Sequence, residues 1–263
     1  MVRAVVYVVA FYVVSAMFLV LGSWLLLGPR SWAMAGLSAH GSTCLWLLKK
    51  IVGTGLEVRG HENLPEGPVL VASKHQSAWD TFALVPLLHD PAIIMKRELL
   101  WIPFYGWFSA KFGMIFVRRS AGAMALRHMA QDAINRAAKG RHILIFPEGT
   151  RREPGAPPDY KPGALFLYDR LDLSCCPVAL NSGLYWPRRS LNRFPGKIIV
   201  EFLEPIPPSL PRKEFARQLE AAIETASDAL IVEAAAAPNP PPIPKEAADR
   251  LGIMKSSRHV GED

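Results

Sequence analysis

Two short runs about seventy residues apart hold the side chains with the most chemistry to offer: Lys74-His75-Gln76-Ser77-Ala78-Trp79-Asp80 and Phe146-Pro147-Glu148-Gly149-Thr150-Arg151. The first supplies a base and a carboxylate, the second a carboxylate, a flexible turn and a guanidinium. Together they suit an enzyme that deprotonates a hydroxyl on an anionic substrate. On a continuous helix, residues five apart point about 140° from each other, so His75 and Asp80 can meet only across a turn. A turn that folds Asp80 back sets its carboxylate on one ring nitrogen, fixes the tautomer and leaves the other nitrogen as a base. In the second run, Glu148 can accept a hydrogen bond from a hydroxyl, Gly149 lets the backbone approach a ligand, and Arg151 can take a phosphate bidentately. Arg118 and Arg119 add two guanidiniums after the apolar run Met114 to Val117. A solvated surface pair is the plain alternative for those two.

Distant loops must be brought together for this chemistry, and the chain beyond Lys50 has the pattern to do it. Short β-branched runs alternate with amphipathic stretches, as in an α/β domain. Strands are expected at Leu56 to Arg59, Val69 to Ala72, Ala92 to Met95, Met114 to Val117, His142 to Phe146, Pro177 to Leu180 and Lys197 to Phe202. Helices are expected at Thr81 to Leu88, at Ala123 to Ala138 and after Pro211, where Phe215, Leu219, Ile223, Ala226 and Leu230 form an apolar stripe. Both chemical runs follow a strand, where loops of open α/β sheets form ligand crevices.

The rest of the chain points to a membrane. From Ala4 to Pro29 there is no charged residue, and Val5 to Leu27 is long and apolar enough to cross a bilayer. A second uncharged stretch, Ser31 to Leu48, is polar in its middle. Residues 1–50 therefore read as a membrane anchor, either one span or a helical hairpin. Residues 51–235 read as the catalytic domain. Residues 236–263, with five prolines in the seven residues Pro238 to Pro244, read as a disordered tail. A hydrophobic fraction of 50% and a formal charge of +7 favour a membrane surface or a phosphorylated partner. No nucleic-acid module is visible, so no nucleic-acid partner is expected. Cys44, Cys175 and Cys176 lack metal-ligand spacing and read as small buried hydrophobes. No metal and no bound cofactor are expected.

The set His75-x4-Asp80, Gly113-x2-Phe116-Val117-x-Arg119, Phe146-Pro147-Glu148-Gly149-Thr150-Arg151 and Pro177-Val178-Ala179-Leu180-Asn181-Ser182-Gly183 resembles the four ordered motifs of the glycerolipid acyltransferase family, most nearly those of its bacterial 1-acyl-sn-glycerol-3-phosphate acyltransferases. Lys96-x-Glu98-Leu99-x2-Ile102-Pro103-x2-Gly106 resembles the stretch between the first two motifs. The likeness runs from about Gly53 to Ile231. It implies an α/β fold with a mixed sheet flanked by helices and a membrane-anchoring N-terminal segment. It further implies that His75 is the general base and Asp80 its orienting partner. Arg119, Glu148, Gly149 and Arg151 would bind the acceptor's glycerol phosphate, with Arg118, Thr150 and Lys96 as further contacts. Pro177 would mark the motif linked to the acyl donor. Arg118 stands where the family often carries an acid.

The reaction so implied is transfer of a fatty acyl group from acyl-CoA or an acyl carrier protein, as cosubstrate, to the sn-2 hydroxyl of lysophosphatidic acid, giving phosphatidic acid. No G-x-S-x-G elbow is present, which favours direct transfer without an acyl-enzyme. Backbone amides near Ser77 or Gly149 are the candidates for stabilising the oxyanion. Trp101, Phe104, Tyr105, Trp107 and Phe108, with Lys96, Arg97 and Lys111, suit a headgroup interface through which a lipid enters. The expected partners are the lipid acceptor, the thioester donor and the phospholipid bilayer. The expected place is the inner membrane with the catalytic domain facing the cytoplasm, where thioesters are made. One alternative keeps the chemistry but changes the acceptor, for instance to lyso-ornithine lipid. Another is a non-catalytic, membrane-anchored lipid-binding protein.

Overall fold

Apolar strands bordered by glycine, proline and short polar runs assemble into one seven-stranded sheet in the computed structural model, which describes residues 2–118 and 122–253. The chain begins with helices α1 (Val2–Leu21) and α2 (Arg30–Ile51). Then come β1 (Thr54–Arg59), β2 (Leu70–Ser73), α3 (Asp80–Ala83), β3 (Ala92–Lys96), α4 (Tyr105–Lys111), β4 (Ile115–Val117) and α5 (Gly122–Ala137). The remainder is β5 (Ile143–Ile145), α6 (Pro162–Leu171), β6 (Cys175–Leu180), α7 (Ser182–Tyr185), β7 (Gly196–Phe202), α8 (Arg212–Ala235) and α9 (Lys245–Arg250). The expected helix from Thr81 to Leu88 is shorter: α3 stops at Ala83 and a 3₁₀ turn holds Val85–Leu87, because Pro86 offers no N–H to a continuing helix.

The strand order is β1-β7-β6-β2-β5-β3-β4. Every neighbouring pair is parallel except β6 with β7, so the sheet is mixed. Five adjacent strands, β6, β2, β5, β3 and β4, thus run the same way and end at one edge. Strand alternation divides the core between two faces. Val71, Leu144, Cys176 and Val178 face α2, α3 and Trp79. Leu70, Ala72, Ile143 and Ile145 face α5, α6 and α8, where Leu167 and Phe215 are fully buried. All three cysteines are free and buried.

α1 folds back on α2. The Tyr7 hydroxyl donates to the Cys44 carbonyl, and Ser15 Oγ lies 2.9 Å from His40 Nε2. The pair is packed along the body: Tyr7 and Phe11 each meet Trp186 at 5.5 Å between ring centroids, and Arg30 pairs with Asp90. At Gly41 the α2 backbone comes so close to α3 that a Cβ there would lie 2.8 Å from the Phe82 carbonyl oxygen. The outer side of α1 presents Val2, Val6, Val9, Val13, Met17 and Val20, all exposed and spaced as one helical stripe. By length and composition α1 is apolar enough to cross a membrane.

The expectation of a disordered tail from residue 236 does not hold as far as residue 253. Ile243 packs on the core, Ala247 is fully buried, and Arg250 pairs with Asp228 of α8 at 2.6 Å. Gly155 receives α9: a Cβ at Gly155 would lie 2.4 Å from that of Ala247. The prolines act here as a stiff strap, whose ordering entropy is already partly removed by their fixed φ. Residues 254–263 lie outside the described ones.

Candidate active site

The five parallel strands place the chemical runs side by side. His75 follows β2, Phe146 to Arg151 follow β5, Asn181 and Ser182 follow β6, and Lys96 and Arg118 stand at the ends of β3 and β4. This is the carboxyl edge where open α/β sheets form their crevices.

His75 and Asp80 meet across the expected turn. His75 Nδ1 lies 2.9 Å from Asp80 Oδ2, which also accepts from the backbone N–H groups of Gln76 at 2.8 Å and Ser77 at 2.9 Å. Asp80 Oδ1 accepts from the Ser182 hydroxyl. Asp80 is fully buried and already accepts from Gln76, Ser77 and Ser182, so its oxygen faces Nδ1 as an acceptor, which places the imidazole proton on Nδ1 and the lone pair on Nε2. Among the described residues none bonds Nε2, and 13% of the His75 side chain is exposed.

The second run grips His75 rather than facing it across open space. The His75 N–H donates to Glu148 Oε2 at 2.9 Å, and its carbonyl accepts from the Arg152 N–H at 2.8 Å. The Phe146 ring stacks on the imidazole. Gly149 adopts φ +63, the left-handed turn that returns the chain. Glu148 is 1% exposed and lies 2.8 Å from Lys74 Nζ, an ion contact outside hydrogen-bond alignment. Burial pushes the Glu148 carboxyl above the usual carboxylate range, against the pull of Lys74.

The geometry places several of the expected residues inward or within the sheet. Glu148, expected to bind the acceptor, points inward with both oxygens engaged. Pro177 lies buried within β6, paired in register with Ala72, and reaches no crevice. Its carbonyl accepts from Leu203 N–H, so the N–H it lacks faces the end of the β7 ladder, where nothing is lost. The contribution of the fourth motif is instead Ser182 on Asp80. The amides of Ser77 and Gly149 are occupied by Asp80 and by the Phe146 carbonyl, which removes both as free oxyanion donors. Ser77 is fully buried and its Oγ accepts from Trp79 N–H, so it is not placed as a nucleophile.

Arg151 is half-buried, while Thr150, Arg118 and Lys96 are exposed. Lys96 ends β3, Arg118 directly follows β4, and Arg151 lies in the loop after β5, the three strands being neighbours in the sheet. Arg119 lies outside the described residues. Lys74 and Ser182 stand within quoted motifs but received no role from the sequence, and Glu224, which meets Lys74, lies 150 positions away on α8. A pocket of about 330 Å³ adjoins the site at Gln76 and Gly183, with Pro154, Arg188 and Pro242 in its wall, but His75 does not line it. Among the described residues no cluster of metal-ligating side chains occurs.

Residues 55–181 match the family model described as Acyltransferase. The 1-acyl-sn-glycerol-3-phosphate acyltransferase of Pseudomonas aeruginosa is 40% identical over 156 residues, covering 59% of this chain and 61% of that protein. The lyso-ornithine lipid O-acyltransferase of the same organism is 28% identical over 199 residues, covering 69% of this chain and 76% of that protein. The crystal structure of the 1-acyl-sn-glycerophosphate acyltransferase PlsC from Thermotoga maritima superposes with a TM-score of 0.74, covering 87% of this chain and 96% of that one at 22% identity, and so shares the fold. The His75–Asp80 pair, the turn at Gly149 and the five parallel strands all fall at or within residues 55–181, the stretch similar to the acyltransferase family, and this chain spans about 61% of the length of the Pseudomonas aeruginosa relative it matches.

Proposed function

We propose that this protein transfers a fatty acyl group from an acyl thioester to the sn-2 hydroxyl of 1-acyl-sn-glycerol-3-phosphate, giving phosphatidic acid. The observation that carries the reading is the imidazole fixed at Nδ1 by Asp80, with Nε2 open at the carboxyl edge of the sheet. The likeness to the Pseudomonas aeruginosa enzyme supports the acceptor, as do the cations Arg151, Lys96 and Arg118 at the ends of neighbouring strands, which suit a phosphomonoester.

Nε2 takes the proton of the sn-2 hydroxyl as that oxygen attacks the thioester carbonyl carbon. The imidazolium so formed is stabilised by the Asp80 carboxylate, which stays ionised. The tetrahedral intermediate then collapses, the C–S bond breaks, and the thiolate leaves. A thiol of pKa near 8.5 is a good leaving group, and the imidazolium returns the proton to it. The base is restored without a covalent acyl-enzyme.

The exposed apolar stripe of α1 lies against lipid, and the body-packed hairpin of α1 and α2 carries the domain on the membrane surface. Trp101 at 82% exposed and Trp107 at 55% extend that contact beside Lys96 and Arg97. The surface is the cytoplasmic face of the inner membrane, where the thioester is made, and acyl-CoA or an acyl carrier protein is the donor.

Transfer of labelled acyl groups by the detergent-purified full chain tests this, with each donor, with lysophosphatidic acid and lyso-ornithine lipid as acceptors, and beside His75→Ala. His75-dependent formation of phosphatidic acid is the expected result. Transfer confined to lyso-ornithine lipid would keep the mechanism and overturn the acceptor. Absence of transfer with either donor and either acceptor would leave a lipid-binding protein.

A further inference from the structure

Lys74 is an ammonium with 1% of its side chain exposed, and such a charge persists in a protein interior only with partners. Two carboxylates provide them. Glu224 of α8 accepts from Lys74 Nζ at 2.7 and 2.9 Å, and Glu148 Oε1 lies 2.8 Å from the same nitrogen. One cation between two carboxylates leaves excess negative charge, which two neutral donors offset. The Tyr160 hydroxyl donates to Glu224 Oε1 at 2.9 Å, and the His75 N–H donates to Glu148 Oε2 at 2.9 Å. An unbroken series of polar contacts thus runs from Tyr160 and Glu224 through Lys74 and Glu148 to the backbone of the base.

We infer that Glu224 and Lys74 are positioning residues for acyl transfer, acting through Glu148 on the His75 backbone, and that Glu148 belongs to this frame rather than to the acceptor's ligands. The inference rests on the acyltransfer reading above. Glu148 is 1% exposed, with Oε2 bonded to the His75 N–H and Oε1 buried against Lys74 Nζ, so neither oxygen is accessible to an incoming glycerol. The position of Nε2 depends on where the His75 main chain sits, and that main chain is held at its N–H by Glu148 and at its carbonyl by the Arg152 N–H. Loosening the first of these lets the imidazole drift from its line of approach to the hydroxyl. Asp80 orients the ring within its plane; the Lys74 series fixes how far the ring stands out from the sheet.

Glu224 is the place to test this, because it touches neither His75 nor Asp80. It borders a pocket of about 390 Å³ between α8 and residues 156–158, with 19% of its side chain exposed, so a substituted side chain there stays hydrated. Steady-state kinetics on the full chain in detergent compare wild type with Glu224→Gln, Glu224→Ala and Glu148→Gln. For Glu224→Ala, kcat is expected to fall about tenfold while KM for the lysophospholipid stays within about twofold, since a shift of a fraction of an ångström acts on the reacting geometry and not on acceptor binding. Glu224→Gln retains hydrogen-bonding oxygen and recovers part of the loss. Glu148→Gln follows the same pattern of lowered kcat with KM unchanged.

Hydrogen–deuterium exchange supplies a readout that does not need turnover. In Glu224→Ala the peptide covering residues 73–80 is expected to exchange several-fold faster, with β1 and β7 unaltered. A rise in acceptor KM in Glu148→Gln at constant kcat would make Glu148 a ligand and overturn the inference. So would unaltered kcat and unaltered exchange in Glu224→Ala; if that variant fails to fold, Glu224→Gln decides by the same two measurements. Wild-type protein without His75-dependent transfer would sink the functional reading instead, and the exchange comparison would still judge the frame.

Discussion

The imidazole of His75 lies nearly parallel to the ring of Phe146, with centroids 4.0 Å apart and planes 22° from each other. The base is therefore held on its face by the first residue of the second run, as well as along its edge by Asp80. Replacing Phe146 with Ala removes the stacking partner, worth about 1 kcal/mol, and is expected to lower kcat roughly fivefold with little change in KM. Phe146→Leu, which keeps an apolar surface, loses less. Steady-state kinetics of the two variants check this, and an unaltered kcat in Phe146→Ala would mean that the stacking has no part in placing the ring.

Asp80→Asn preserves size but replaces a carboxylate that accepts from His75, Gln76, Ser77 and Ser182. The amide cannot stabilise an imidazolium as the carboxylate does, and it favours the wrong tautomer if its NH₂ group faces the ring. A loss of about 10²-fold or more in kcat is expected. Ser182→Ala removes a single donor from Asp80 Oδ1 and should cost far less. A ranking with Ser182→Ala as the worse variant would contradict the proposed division of roles.

The sheet was legible in the sequence to a large extent. The seven expected strands all form, because their β-branched and apolar runs are bounded by turn residues and, in the central strands β2, β5 and β6, buried on both faces. The His75–Asp80 contact was legible only as a possibility, since the turn from Gln76 to Trp79 depends on Asp80 accepting two backbone N–H groups that no periodicity reports. The inward turn of Glu148 was not legible. Its cause is Lys74, whose cause in turn is Glu224 on a helix near the end of the chain. The tail was misread on composition, because its docking depends on the missing side chain of Gly155.

His142 gives the stability an acid limit. It is 3% exposed, its Nδ1 accepts from the His89 N–H at 3.2 Å, and burial, followed by the neighbouring His89, pulls its pKa down to about 4 from 6.5. Between those values the unfolded chain binds a proton that the folded chain does not. This part of the stability is therefore complete above about pH 6.5 and is lost as pH falls towards about 4. His142→Asn keeps an acceptor near the same place and cannot titrate. Thermal melts across this window should show a shallower fall in Tm for the variant, and parallel curves would refute the assignment.

Gly155 has φ +75 and faces Ala247 with no room for a Cβ. Gly155→Ala is expected to cost about 1 kcal/mol or more from backbone strain alone and to lift α9 from its seat. Limited proteolysis should then cut within residues 236–250 faster than in wild type, while the body from β1 to α8 survives. Unchanged cleavage would show that the strap is held by the Arg250–Asp228 pair and Ile243 without help from this contact.

The glycine at position 41 turns two parts of the protein into one rigid lever. Because α2 touches the Phe82 carbonyl there, the lipid-facing hairpin and the helix that starts at Asp80 cannot slide past each other. On the proposed membrane placement, His75 would then work at a set depth relative to the headgroups, as a tool does when clamped to a bench. On that reading an acceptor would be chosen partly by how high its hydroxyl rides in the leaflet, so two lysolipids with identical reacting groups but different headgroup lengths would be distinguished before either touched an arginine.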